Sequence, residues 1–245
     1  MRRVDTLLFL RNKMKSKLNS NDYLTYLAVV YTTIAVTMNI FCMKALSFGS
    51  PIIICDGGLI ISWGIFLVSN VIIEVWGEKG SVKIISFATI VAFIAMIIGR
   101  LIVFIPTLPE YKEEANAFSL IFSNGPRTII ASAIAFWCGN VINVHIIAKF
   151  KDRIKTKDNK AKFFFRASFS TLVGQLIDNA LFMTLAFAPI GLSLYEMNAK
   201  DIFSSVISGT IIELVVESFF VPFITIPLTR HIQKIKDGEA HESIN

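Results

Sequence analysis

Acidic and amide side chains interrupt a segment that is otherwise apolar. The run FFFRASFSTLVGQLIDNALFMTLAFAPIG, residues 163–191, has the length of a membrane-spanning helix, yet it contains Arg166, Gln175 and Asp178. An ionisable group at the centre of a bilayer costs about 2.5–3.5 kcal/mol on insertion scales. A helix keeps such a group where it faces other helices or a polar cavity, so Asp178 is expected to face the interior of a helical bundle.

Several of these groups are expected at a similar depth. Asp178 follows Arg166 by twelve residues, which is about 18 Å at the rise of an α-helix and close to the midplane. Gln175 shares the helix face of Asp178, while Glu213 lies near mid-depth of the last apolar segment and Glu217 one turn further in. Few basic residues lie at this depth, so the pattern predicts protonated carboxyls, a cation or a ligand rich in hydrogen-bond donors.

Other spans contribute polar groups with two interpretations each. Asn70 and Glu74 share one helix face at i, i+4, and Glu74 is either part of a site or an ordinary interfacial acid. Asn143, like its neighbour Asn140, either binds a ligand or bridges helices by hydrogen bonds. Trp137 is either a packing residue or a platform on which a planar ring stacks.

Motifs for catalysis are missing from the sequence. It contains no Gly-rich phosphate loop, no nucleotide-binding fingerprint and no His/Cys metal cluster. Cys42, Cys55 and Cys138 have neither metal-ligand nor disulfide spacing. We therefore expect a transporter or channel rather than an enzyme, with no cofactor and no bound metal.

Composition places the chain in a membrane. Of 245 residues 54% are hydrophobic and 17% charged, against about 25% charged in soluble domains, and the mean hydropathy is +0.63. A spanning helix needs about 20 apolar residues. Six segments qualify: residues 23–46, 57–75, 82–105, 127–149, 164–188 and 202–228. The fold class predicted is an all-α integral membrane protein with six transmembrane helices.

The distribution of basic residues predicts the orientation. With both termini in the cytoplasm, eighteen of the 24 Lys and Arg residues lie inside, as the positive-inside rule requires. The net charge of +6 then indicates membrane topology and no nucleic-acid partner. The predicted organisation is a basic cytoplasmic arm over residues 1–22, a six-helix transport domain over 23–229 and a polar, frayed tail over 230–245. The loop between the third and fourth spans is expected to hold a short amphipathic helix.

Motifs in four helices resemble one transporter family. The runs SNVIIEVWGEK, PRTIIASAIAF and FRASFSTLVGQLIDNALFMTLAF are similar to signatures of the queuosine precursor transporters, which are grouped with vitamin uptake transporters. Asn39 and Lys44 match the end of that family's first helix, and the resemblance covers about residues 25–228. It departs at Asn70, where the family has an acid, and at Trp76, where it has Tyr. A basic residue expected in the last helix is also replaced, in the region of Glu213 and Glu217.

The resemblance implies import of a 7-deazaguanine base such as preQ0, preQ1 or queuine across the cell (plasma or inner) membrane. It implies that Glu74, Arg127, Arg166, Gln175 and Asp178 belong to the functional constellation. A guanine-like edge presents adjacent N–H donors that a carboxylate accepts, amides serve its carbonyl and ring nitrogens, and an aromatic ring supports its plane. Asp178 or Glu217 would be the carboxylate, Gln175 and Asn143 the amides, and Trp137 the platform.

Two further functions stay open. The first is a substrate-binding S-component of an energy-coupling-factor (ECF) importer, for which the small-residue pattern at Ala131–Ala135 would serve helix docking. The second is a membrane scaffold without transport. The expected partners are a nucleobase, the lipid bilayer and either a second copy of the chain or an ECF ATPase module.

Overall fold

The structure is a computed structural model that describes residues 18–42, 44–47, 54–122, 126–153, 160–189 and 196–242. Seven α-helices lie in this part of the chain: α1 Ser20–Phe41, α2 Leu59–Val103, α3 Lys112–Phe122, α4 Pro126–Arg153, α5 Lys160–Phe187, α6 Ala199–Phe220 and α7 Ile226–Glu242. A short antiparallel hairpin, β1 Ala45–Ser47 and β2 Ile54–Asp56, joins α1 to α2. The described part of the chain is therefore mainly helical. Of the arm predicted over residues 1–22, residues 1–17 lie outside the described residues, and its last three residues already belong to α1.

Five helical stretches are long and apolar enough to cross a membrane: Ser20–Phe41, Leu59–Val103, Arg127–Lys151, Lys160–Phe187 and Ala199–His241. Their outward surfaces carry many exposed large apolar side chains, among them Phe87, Ile94, Leu101, Phe203 and Phe219. Soluble proteins rarely expose contiguous apolar patches of this kind, so these surfaces face lipid.

The 45-residue helix α2 is interrupted at Gly77, whose φ of 80° and ψ of 178° are not helical. The contacts of α4 show what the interruption does. Along α4 from Trp137 to His145, the hydrogen-bond partners on the second limb of α2 move backwards from Ser86 to Glu78. The second limb therefore runs antiparallel to α4.

The first limb of α2 runs the other way. From Asn143 to Lys151 on α4, the partners on this limb move forwards from Asn70 to Glu74. The first limb is thus parallel to α4, and the chain reverses direction at Gly77. The apolar segments expected at 57–75 and 82–105 correspond to these two limbs, and residues 76–80, expected as a turn, contain the reversal.

Helices α4 and α5 approach each other very closely at two glycines. A Cβ added at Gly139 would lie 2.7 Å from the Cβ of Asp178, and one added at Gly174 would lie 2.8 Å from the Cβ of Asn143. These distances are shorter than ordinary packing allows, so the missing side chains let the two backbones meet. At this close approach, Asp178 of α5 packs against α4 and Asn143 of α4 packs against α5, in the middle of the bundle.

Three expectations about segment ends are corrected or confirmed. The first span ends at Phe41 rather than at residue 46, because the chain enters β1 there. The tail expected to be frayed is helical to Glu242: it follows a π-helical turn, Val221–Thr225, that contains Pro222. The short helix expected between the third and fourth spans is confirmed as α3, which has no buried residue.

The ends of the described chain meet at one face of the bundle. The backbone N–H of Ser20 at the start of α1 donates to Glu239 of α7 over 2.8 Å, and Lys236 of α7 donates to the carbonyl of Val75, beside Gly77, over 2.7 Å. The start of α1, the reversal in α2 and the end of α7 therefore share a side, which we call the terminal face.

Candidate functional site

A partly open pocket lies in the half of the bundle remote from the terminal face. It is formed where the end of α1 meets the start of α2, together with the middles of α4, α5 and α6. The space between its atoms, counted together with its open mouth, is about 560 Å³. Its lining residues are Met38, Asn39, Cys42, Gly58, Leu59, Ser62, Ser132, Phe136, Asp178, Asn179, Phe182 and Glu213.

Two carboxyl groups face this pocket. Glu213 accepts a hydrogen bond from the Ser62 hydroxyl and another from Asn179 Nδ2 at 3.1 Å. Asp178 lines the pocket beside them and makes no side-chain hydrogen bond to any residue in the ranges that the structure describes. Among the described residues, both carboxylate oxygens of Asp178 are therefore without a side-chain hydrogen bond.

Amide and aromatic groups complete the lining. The Ser132 hydroxyl donates to Asn39 Oδ1 over 2.6 Å, and Asn39 Nδ2 is held by the carbonyl of Ala35. Phe136 and Phe182 supply the aromatic surfaces. The pocket thus combines acceptors for N–H donors with apolar rings, an arrangement that suits a flat, donor-bearing molecule.

Below the pocket, a buried network surrounds Glu217. Its Oε1 accepts from Asn70 Nδ2 and from the Thr171 hydroxyl, both at 2.9 Å. Asn70 Oδ1 in turn accepts a hydrogen bond from Asn143 Nδ2 at 3.3 Å. The same Asn143 Nδ2 also donates to the Ser69 hydroxyl at 3.2 Å. The network joins α2, α4, α5 and α6 at one level and separates the pocket from the terminal face.

Unsatisfied polar atoms accompany this network. Among the described residues, Glu217 Oε2, Asn143 Oδ1 and both side-chain polar atoms of Gln175 are buried without a hydrogen-bond partner. Gln175 and Glu217 are both 0% exposed. A buried polar group without a partner costs about 1–3 kcal/mol, so this level of the bundle is polar at the expense of stability.

An ion pair lies one level closer to the terminal face. Arg166 pairs with Glu74, and Lys151 Nζ lies 3.8 Å from the same carboxylate and 2.7 Å from the Glu74 carbonyl. Arg166 and Glu74 are only 2% and 7% exposed, and the Arg166 guanidinium also lies over the ring of Phe163. Glu74 is therefore a buried, paired group, which rules out the interpretation as an ordinary interfacial acid.

Two of the expected site residues lie elsewhere. Trp137 is 41% exposed and donates through Nε1 to Ser86, so its ring does not line the pocket, whereas its neighbour Phe136 does. Arg127 binds the carbonyls of Leu185 and Ala188 at the end of α5, over 2.6 and 2.9 Å. Arg127 thereby fixes the start of α4 against the end of α5.

The nine expected residues therefore divide into groups. Asp178 is in the pocket; Asn70, Asn143, Gln175 and Glu217 are in the buried level beneath it; Glu74 and Arg166 form the ion pair; Trp137 and Arg127 are outside all three.

Sequence reasoning missed Ser62, Asn179, Thr171 and Lys151. Ser62 precedes Asn70 by eight residues on the same helix face, and Asn179 directly follows Asp178. These positions can be read from the sequence, but small hydroxyl and amide side chains are common in helices and do not indicate a site by themselves.

The polar groups of the bundle lie at successive depths along its length. Within the ranges that the structure describes, no group of three His, Cys, Asp or Glu side chains could hold a metal ion. The pocket, the level of Glu217 and the ion pair follow one another through the bundle. Such an ordered series of polar levels inside an apolar shell is typical of a membrane transporter.

The fold and the series of polar levels define a multi-pass membrane protein with a polar pocket inside its helical bundle. A family model described as "Putative vitamin uptake transporter" matches residues 56–226, about 70% of the chain, and the chain therefore belongs to this vitamin uptake transporter family. The matched region contains the pocket residues of α2, α4, α5 and α6. Comparisons with curated proteins and with solved structures give no match.

Proposed function

We propose that the protein imports a 7-deazaguanine base, a precursor of the queuosine modification of tRNA, as a secondary transporter of the cell membrane. Membership of the transporter family supports the general function. The motifs that resemble queuosine precursor transporters support this substrate class. The two antiparallel limbs of α2 support a count of six membrane crossings.

The observation that carries the proposal is the composition of the pocket. Asp178 has free acceptor oxygens, and Asn39 and Asn179 add amides. A deazaguanine base carries adjacent N–H donors on one edge and a carbonyl beside them, so a carboxylate and an amide complement it. Phe136 and Phe182 offer apolar faces for its ring.

The direction of opening follows from the basic residues. The sequence before α1 and the tail are rich in Lys and Arg, and the start of α1 and the end of α7 lie at the terminal face, which the positive-inside rule assigns to the cytoplasm. The pocket lies in the opposite half and is then accessible from outside, while the level of Glu217 and the Glu74–Arg166 pair close the inner side. This corresponds to the outward-facing state of an alternating-access importer.

An uptake experiment in cells tests the proposal. In a bacterial strain that cannot make the precursor, the wild-type protein is expected to restore queuosine in tRNA when preQ0 or preQ1 is supplied. Asp178→Asn is expected to abolish this while the protein stays in the membrane, because the amide presents a donor where the base presents donors. Asp237→Asn, on the exposed side of α7, is the matched control and should keep full activity. Normal queuosine with Asp178→Asn would contradict the assignment of the site.

The alternative, an S-component of an ECF importer, differs from a secondary transporter because it needs an ATPase module as its partner. Ala131 and Ala135, whose spacing suggested helix docking, are 2% and 0% exposed, so they pack inside the protein and offer no surface to another subunit. Uptake by the purified chain in vesicles supports the secondary transporter. Uptake that occurs only when an ATPase module is added supports the alternative.

A further inference from the structure

We propose that Glu217 is the coupling site of the transporter and carries a single positive charge, a proton or Na⁺, during import. This inference rests on the proposed function and adds the source of energy to it. It starts from the position of the carboxyl group. Glu217 is 0% exposed and lies between the pocket and the Glu74–Arg166 pair.

The immediate surroundings of Glu217 leave its charge uncompensated. Both hydrogen bonds that it receives, from Asn70 and from Thr171, go to Oε1, while Oε2 is buried and has no hydrogen-bond partner within the described part of the chain. Two neutral donors orient a carboxylate but do not neutralise it, and an isolated charge in an apolar interior is costly. A proton or cation on Oε2 removes that cost.

The charged side chains on the packed helices do not supply this positive charge. Glu213 on the same helix, Asp178 on α5 and Glu74 on α2 are acids. Arg166 on α5 and Lys151 on α4 both lie against Glu74. Among the described residues Glu217 is bound by the neutral donors Asn70 and Thr171 and by neither base, so an ion from solution can balance its charge.

Neighbouring oxygens suit the same occupant. In the ranges that the structure describes, Asn143 Oδ1 and Gln175 Oε1 are buried without a hydrogen-bond partner, and both belong to the helices that pack around this level. Hard monovalent cations are bound by carboxylate and amide oxygens, and a protonated carboxyl needs an acceptor for its O–H. Both sources of the charge therefore find the chemistry that they need here.

The position of Glu217 also connects its charge with the substrate pocket and with the cytoplasmic side of the bundle. Glu213, which lines the pocket, precedes Glu217 by one helical turn, and Asn70, which binds Glu217, precedes Glu74 by one turn. A change of charge at Glu217 therefore alters the hydrogen bonds that join α2 and α5 to α6, between the pocket and the ion pair. Loading from outside and release to the cytoplasm would couple the ion to the base, with the same ion bound and released in each cycle.

Vesicles that contain the purified protein test the inference with radiolabelled preQ0. One arm applies an inward proton gradient without Na⁺, a second applies an inward Na⁺ gradient at equal pH, and a third measures exchange of labelled for unlabelled base without a gradient. The wild type is expected to accumulate the base in the first arm or in the second, and this identifies the ion. Glu217→Gln is expected to lose accumulation in that arm and to keep exchange. The exposed Glu113→Gln is the matched control and should behave as the wild type.

Each other outcome is decisive. Accumulation by Glu217→Gln equal to that of the wild type overturns the inference, as does accumulation by the wild type that depends on neither gradient. If Glu217→Gln does not fold, flux of protons or Na⁺ driven by added base is measured in the wild type with an ion-sensitive dye, and its absence overturns the coupling.

If the wild type moves no base in any arm, the proposed function fails. The thermal stability of the wild type and of Thr171→Val, titrated with Na⁺ and with pH, then decides on the ion site alone: the titration should respond in the wild type and shift in the variant, and no response overturns the site.

Discussion

At the scale of single residues, the polar side chains of the bundle differ in how much of their chemistry is already satisfied. Glu74 and Arg166 form an ion pair, Glu213 is hydrogen-bonded by two neighbours, and Asp178 and Glu217 keep oxygen atoms without a hydrogen-bond partner among the described residues. The groups with unused acceptors are the ones that we assign to the substrate and to the ion, whereas the paired groups hold the helices in place.

The pair of Glu74 and Arg166 allows a prediction about stability. Arg166→Met should lower the free energy of unfolding by about 3–5 kcal/mol, because it removes the buried partner of the Glu74 carboxylate and leaves only the exposed Lys151 beside it. Adding Glu74→Gln to that variant should recover much of the loss, since both charges are then absent. Reversible unfolding in mixed micelles measures each value. A double variant with the sum of the two single losses would show that the pair is not coupled.

The sequence predicted the acids of this site better than their pairing. Counting along an apolar helix places Asp178 and Glu217 at depth, because the rise per residue is fixed. It could not pair Arg166 with Glu74, which lie 92 residues apart in the sequence, because an error of one or two residues in either span moves a side chain to another level. The sequence also could not predict that Trp137 is exposed. Phe136 and Trp137 are adjacent, and only helix packing decides which ring faces inward.

At the scale of helices, glycines decide where the backbone turns and where helices meet. Gly77 reverses α2, and Gly139 and Gly174 let α4 and α5 come together at Asp178 and Asn143. The apolar segments were predictable from length and hydropathy alone. The helical tail was missed because it is polar on average, and its docking on the first turn of α1 depends on contacts between residues more than 200 positions apart.

Gly77 provides a prediction that isolates backbone strain. A Cβ at Gly77 would have no atom within 4 Å, yet φ is +80°, in a region that residues other than glycine avoid. Gly77→Ala should therefore destabilise the protein by about 1–3 kcal/mol. Gly238→Ala is the control: its Cβ also meets nothing within 4 Å, but its backbone is helical, so alanine should be neutral or stabilising by up to about 1 kcal/mol. Equal effects of the two substitutions on thermal unfolding would contradict the reversal at Gly77.

At the scale of the whole molecule, the polar levels form one series through the bundle, and the terminal face lies at its end. The pocket is lined by residues near the end of α1 and the start of α2 and by residues of α4, α5 and α6, so side chains from distant parts of the sequence meet in it. The tie between Ser20 and Glu239 joins the first and the last described helix on the side where the release of substrate is proposed. Opening of that side must move α7 or α1, which makes the tie a measure of how firmly it is closed.

This tie predicts a pH dependence of stability. Hydrogen bonds from the Ser20 side chain and backbone lower the pKa of Glu239, which lies beyond the apolar part of the last helix. A carboxyl whose pKa is lowered on folding stabilises the protein above its unfolded pKa, and this contribution is lost as the pH falls through the folded value. Glu239→Gln should therefore lower the Tm at neutral pH, and the difference from the wild type should vanish in acid below the usual range of glutamate. Asp237→Asn, exposed on the same helix, should not change the Tm in this way. A difference for Glu239→Gln that persists unchanged in acid would mean that α7 is held by its apolar contacts and that its carboxylate does not join it to α1.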